Sequence, residues 1–378
     1  MPYLLYHHFD PTFDHQNLKP GLAVGKGKVD HYNLGYVQNV VKGQVLAEFI
    51  PIDDTDDPVI DRNHIFEEPL LPVGPNCKVD PDSPLRVVAD ANGYVFYNDG
   101  LITVKRMLNV RRDVDFHTGN IFFVSDIAVH GDVRAGFEVQ GNNILVKGII
   151  EGATVRARGS LAVEGGARGS GGSGLLDAGD TLRVPFAESM ELRAHGNILI
   201  EKFCLHSLVY AATNLVVKNR LQGGTVHCNG LVYVETHLGN PKGTPTATRI
   251  NMGYDPFTMR KLDRLEQHIR ELQDSLTHIA GIAGNLGSDS APGKRLDNAR
   301  KKLNRLIRQR EALWAALTED EARAALCRVV VPGTVYPGVE ISIGKAFFEV
   351  EHEMNNVSFS LADGSIVVTS PAIIKKKA

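Results

Sequence analysis

Cysteine is scarce: the residues at 77, 204, 228 and 327 are scattered over 378 positions with no Cys-x-x-Cys pair. That excludes a disulfide framework and agrees with a reducing compartment. Excess charge of either sign is lacking too. With 41 Lys+Arg against 44 Asp+Glu the net charge is −3, so the whole chain has no electrostatic reason to bind nucleic acid or an anionic membrane. No apolar run reaches the ~18 residues of a spanning helix. The opening MPYLLYHHFDPTFDHQ has neither the basic region nor the apolar stretch of a secretory signal. A cytoplasmic protein is expected. Aromatics make up only 7% with a single Trp, too few for a sugar-stacking face.

Glycine, in contrast, is abundant: of 37, 21 lie between Gly119 and Gly253, whereas ten of eighteen prolines precede residue 85. Within the Gly-rich block one short pattern recurs, as DIAV (126), NILV (143), SLAV (160), TLRV (181), NILI (197), NLVV (214) and GLVYV (230). Its apolar positions Ile127, Ile144, Leu161, Leu182, Ile198, Leu215 and Leu231 are 17, 17, 21, 16, 17 and 16 apart. A helical pair needs about 34 residues and a propeller blade about 40. Short period-two strands turning at Gly, Asn, Asp or Ser predict a parallel β-helix whose stacked coils share one core. The usual crossover preference makes it right-handed. The long interval holds GGARGSGGSG (165–174), read as a loop bulging from one corner.

After THLGNPKGTPTATRINMGYDP the periodicity changes. Leu262, Leu265, Ile269, Leu272, Leu276 and Ile279 form a 3-4 seam, and after GIAGNLGSDSAPG it returns at Leu296, Ala299, Leu303, Leu306, Arg310, Leu313 and Leu317. Two seams around a Gly/Pro break predict an inserted antiparallel coiled-coil hairpin whose two ends are close together. The stripe is too narrow to lie on the solenoid as well, so the hairpin is expected to project, with Ile307 and Trp314 marking its base. Asp-Gly pairs at 99–100 and 363–364 predict β-hairpins. The expected organisation is a small Pro-rich, β-containing N-terminal domain over 1–84 and the β-helix over 85–255. The helical insertion follows over 256–326, then capping β segments over 327–370 and a basic tail over 371–378, with KKK at 375–377. The acidic run DDTDD (53–57) reads as a solvated loop.

Candidates for chemistry are few. Asp126, Asp132, Asp177 and Asp180 do not recur at coil spacing, as the acids of a β-helix glycan enzyme should. Cys204, His206, His227 and Cys228 have the composition of a zinc set but not its spacing, and read as core cysteines with surface histidines. GKG (25–27) lacks the ending of a phosphate loop, and neither GxSxG nor HExxH occurs. No catalytic, cofactor or metal residue is assigned. GYVQNVVKGQVLAEFIP (35–51) resembles half of a biotinyl-type β-sandwich in shape, without its lysine. The second helix is basic, with Lys294, Arg295, Arg300, Lys301, Lys302, Arg305, Arg308 and Arg310 against Asp297 and Glu311. The expected partner-binding residues are Arg260, Arg264, Arg270, Arg300, Arg305, Arg308 and Trp314, on the exposed flanks of the hairpin.

The segments ADANGYVFYNDGLITV, VRRDVDFHTGNIFFVSDIAVHGDVRAGFEV, GNNILVKGIIEGATV, LGNPKGTPTATRINMG and VPGTVYPGVEISIG, with the coiled-coil insertion, resemble the flagellar assembly protein A family in its own order. The likeness runs from about Gly35 to Val368, with Asp-x-x-Thr-Gly-Asn-Ile (115–121) and Tyr-Pro-Gly-Val (336–339) its most specific motifs. It implies a cytoplasmic bacterial protein with a right-handed β-helix body, active in flagellar assembly or placement, with no catalytic residues to carry over. The N-terminal region is shorter than in many members. The leading expectation is therefore a non-enzymatic scaffold with protein partners. A self-assembling β-helical homo-oligomer is the alternative, and a carbohydrate-active β-helix a third reading. No nucleic acid is expected among the partners.

Overall fold

Residues one coil apart fall into parallel register, and this turns the 17-residue spacing into a solenoid. The computed structural model describes residues 2–14, 18, 21–22, 29–30, 32–52, 64–170, 174–241, 247–283, 291–318 and 321–372. DDTDD, GKG and KKK lie outside these residues. The chain divides into two compact units, Met1–Glu191 and Leu192–Ala378. It is mainly β, a β-solenoid of about eight turns.

In the first unit Leu108, Ile127, Ile144, Leu161 and Leu182 stand above one another in parallel strands, all buried. Val139, Val155 and Leu176 stack on a second face. Val133, Ile150, Ala167 and Ala187 stack on a third. Each coil thus sends one apolar side chain inward from each of three short strands, and the stack buries what no single coil could. The long interval is not a simple bulge. Ala167 and Arg168 pair with Ile150 and Glu151, so Gly165–Ser170 continues the third face; 171–173 lie outside the described residues.

Ahead of the first coil, Ile65–Phe66, Tyr3–His7, Val45–Pro51, Ser83–Ala89 and Cys77–Asp80 form a five-stranded sheet in that order. Leu101–Lys105, Gly93–Asn98 and Asn39–Val40 form a three-stranded one. They share a core that includes Leu46, Phe49, Val87, Val95 and Ile102. Asp99 and Gly100, at φ 51° and 77°, make the expected Asp-Gly hairpin turn. The biotinyl-like stretch is not a strand pair, because Asn39–Val40 and Val45–Pro51 belong to different sheets.

In the second unit the stacked positions are Ile198, Leu215, Val232 and Val329, then Val209, Val226, Ile250 and Ile341, then Cys204, Leu221, Leu238 and Val335. Val232 rather than Leu231 occupies the rung, since Leu231 pairs with Asn214; the interval there is again a full coil. Between Val232 and Val329 the chain leaves through helix α1 (Pro256–Ala283) and returns through α2 (Ala291–Thr318) and the single turn α3 (Glu321–Ala324). The exit and return are adjacent: a Cβ on Gly253 would lie 2.9 Å from that of Ala324. The parallel strand Arg328–Val335 is covered by Met354–Ala362 running antiparallel, itself paired with Ser365–Thr369 through a turn at Asp363 and Gly364.

Candidate functional site at the foot of helix α1

In-register stacking puts outward-facing residues of successive coils side by side. Tyr210, His227, Asn251 and Ser342 occupy one such ladder, and α1 begins directly on it. Asp255 caps the helix, accepting hydrogen bonds from the Thr258 amide at 2.8 Å and hydroxyl at 2.6 Å, and Pro256 stands at the first helical position. With the start fixed, positions three apart face the sheet. Phe257 stacks on His195, centroids 3.9 Å apart and planes 2° from parallel. The Arg260 guanidinium lies 5.9 Å over the Tyr210 ring, and Asp263 Oδ2 is 3.8 Å from His227 Nε2.

Burial sets the protonation of this group. His227, 5% exposed, is held at about 4, and its Nδ1 has no hydrogen-bond partner. Burial also raises the Asp263 carboxyl, Glu266 adds to the rise, and Arg270 opposes it. A general base must reach the proton it removes; His227 is closed off beneath α1. The arrangement seats the helix.

The narrow apolar seam implies an arm free of the solenoid, yet the first turns of α1 rest on it. The contacts are a ring stack, a cation over a ring and a carboxylate beside an imidazole, none of which widens the apolar stripe. Further along, Leu262 and Ile269 are buried and Leu265, Leu272 and Leu276 half-buried, while most residues between are exposed. Leu296, Ala299, Leu303, Leu306, Arg310 and Leu313 are half-buried in α2, Leu317 is buried, and the two helices pack on one another. The side chains of Ile279, Lys294 and Arg295 lie outside the described set.

Of the expected partner-binding residues, Arg260 is half-buried on Tyr210, whereas Arg264, Arg270, Arg300, Arg305 and Arg308 are exposed and Trp314 is 38% exposed. Lys301, Arg305 and Arg308, spaced i, i+4 and i+7, share one face of α2. Sequence reasoning missed the seat formed by His195, Tyr210, His227, Phe257 and Asp263. The available signal was the 17-residue separation of Tyr210 and His227, one full coil.

The remaining chemical candidates resolve into structure. His206 is exposed, but His227 is buried rather than a surface histidine, and Cys204 and Cys228 are core residues. Among the described residues no three His, Cys, Asp or Glu side chains gather as a metal ion requires. Asp113 accepts the Asp132 amide at 2.9 Å and Asp132 the Ile149 amide at 2.8 Å, one corner above the next. That backbone bond, with Arg134 beside it, holds the Asp113 carboxyl below its usual range. Burial raises Asp126, but hydrogen bonds from Asn142 and Asn143 outweigh it and leave the group low. Among the described residues no helix is long and apolar enough to cross a membrane.

The model of the Flagellar Assembly Protein A beta solenoid domain matches residues 106–366, beginning where the first rung, Met107–Val110, begins. No curated protein and no solved structure matches the chain. With more than half of its length matched, the chain belongs to the Flagellar Assembly Protein A β-solenoid family.

Proposed function

We propose that the protein is a non-catalytic cytoplasmic scaffold in flagellar assembly or placement, working through protein contacts of its solenoid and of α1 and α2 as an antiparallel coiled-coil arm. The observation that carries this is the division of labour on the helices. Their apolar seams are shielded and the foot of α1 is seated on Tyr210 and His227, while Arg264, Arg270, Arg300, Arg305 and Arg308 stay exposed. A long element fixed at one end, with a basic outer surface, suits recognition of an acidic protein partner. The antiparallel cover on Arg328–Val335 supports a capped solenoid over a filament, because an open parallel edge is what end-to-end stacking requires.

The test is to count flagella and map their positions by electron microscopy in cells lacking the protein, complemented with the full chain or with the chain lacking 257–325. A placement defect cured only by the full chain is expected. Rescue by the shortened chain would remove the arm from the function.

A further inference from the structure

The first unit holds two adjoining hollows of about 700 and 440 Å³ that share Tyr36, Tyr94, Lys105 and Asn109. We propose that this cleft, between the Gly93–Lys105 hairpin and the first solenoid coil, binds a nucleoside phosphate. Arg111, Arg112, Lys105 and His117 line the larger hollow, where among the described residues no carboxylate does, while Asp10 and Asp14 line the smaller one. Nearby acids are engaged elsewhere: Asp113 with Arg134, and Asp115 with the His117 amide. Neither Arg111 nor Arg112 makes an ion pair among the described residues. Guanidiniums converging on a concave surface favour an anion, phosphate above all, since their planar donors match its oxygens.

The aromatic side chains narrow the class further. Tyr36 and Tyr94 wall the cleft, and Phe116, at its rim, is 62% exposed. Phe116 is held in position by edge-on contact with Phe137, centroids 5.0 Å apart, and by Tyr32 at 5.7 Å. An exposed ring braced from behind is a stacking platform for a base. The hollow has the volume of an organic-ligand site rather than of a lone phosphate. The turn carrying Phe116 is itself rigid, because Thr118 Oγ1 accepts the Asp115 amide at 3.0 Å and the Gly119 amide donates to the Asp115 carbonyl at 2.8 Å. The ligand would therefore meet a prepared surface, phosphates on Arg111, Arg112 and Lys105 and base against Phe116 and Tyr94.

The experiment titrates the full chain with fluorescent mant-ATP and mant-GTP, with pyrophosphate, adenosine and an acidic peptide as competitors. Saturable binding is expected, weakened at least about tenfold by Arg111→Glu with Arg112→Glu, and about fivefold or more by Phe116→Ala. Circular dichroism and melting would confirm that the variants fold, and Lys105→Met, on the hairpin, supplies an independent lesion. Pyrophosphate binding as tightly as the nucleotide, with Phe116→Ala silent, would reduce the cleft to a bare anion site and overturn the proposal. So would displacement by the peptide alone, or no binding at millimolar ligand.

Discussion

Tyr210 and His227 stand in register one coil apart, with ring centroids 5.0 Å apart and planes 7° from parallel. The spacing is that of neighbouring strands, so the solenoid's hydrogen bonds create the stack and α1 covers it. Its consequence for pH follows from burial. Folded His227 titrates at about 4 instead of 6.5. Below 6.5 the unfolded chain takes up a proton that the folded one refuses, so stability is full above that pH and falls toward pH 4, by up to about 3 kcal/mol. Denaturant midpoints at several pH values should show a shallower fall in His227→Gln. His7, lowered to about 4 by burial and by His64 and His8, adds to the fall, as do Asp113 and Asp126, whose carboxyls are held low in the folded protein. An unchanged slope would mean that His227 is hydrated in solution.

Phe257 anchors the helix foot on His195. Replacing it with Ala should cost about 1–2 kcal/mol and speed proteolysis of α1 before that of the solenoid strands. Equal proteolysis in both proteins would show that the foot is held without the stack.

Gly224 and Gly100 separate two kinds of glycine requirement. Their φ angles are alike, 79° and 77°, but a Cβ on Gly224 would lie 2.1 Å from the Ser207 carbonyl oxygen, and one on Gly100 would meet nothing within 4 Å. Gly100→Ala should cost about 1 kcal/mol from backbone strain. Gly224→Ala should cost clearly more, above about 2 kcal/mol, because the coil below cannot yield. Similar melting temperatures for the two would refute the close approach.

Asn143 links three coils: its Nδ2 donates to Asp126 Oδ1 at 3.0 Å and its Oδ1 accepts the Ser160 amide at 3.0 Å. Asn143→Ala strands a backbone N–H at a corner and should destabilise by about 1–2 kcal/mol, read as a lower denaturant midpoint at unchanged slope.

Burial pushes the Cys204 thiol up to about 12, and Cys228 and Cys77 to about 11. Since the thiolate is the reactive form, iodoacetamide at pH 8 should leave Cys204 and Cys228 unmodified in the native protein, with half-buried Cys77 the first of these three to react by mass spectrometry. Prompt labelling of Cys204 would place it outside the core.

Periodicity alone determined the solenoid, because inward residues must recur once per coil wherever a stacked core is built; Ile144 and Leu161 announce it without any tertiary information. The same holds for the helical seam at Leu262 and Ile269, and for the Asp-Gly turns. Tertiary structure decided where register, rather than local pattern, sets the answer. Leu231 and Val232 are equally apolar, and only pairing with Leu215 puts Val232 on the rung. Ala167 joins the third face because Ile150 lies beneath it, although its Gly-rich neighbours read as a loop. The seat of α1 was illegible for a related reason: Phe257 meets His195, and Asp263 meets His227, across chain separations that no local pattern encodes. Polar and aromatic contacts carry no periodic signature, so folding alone brings them together.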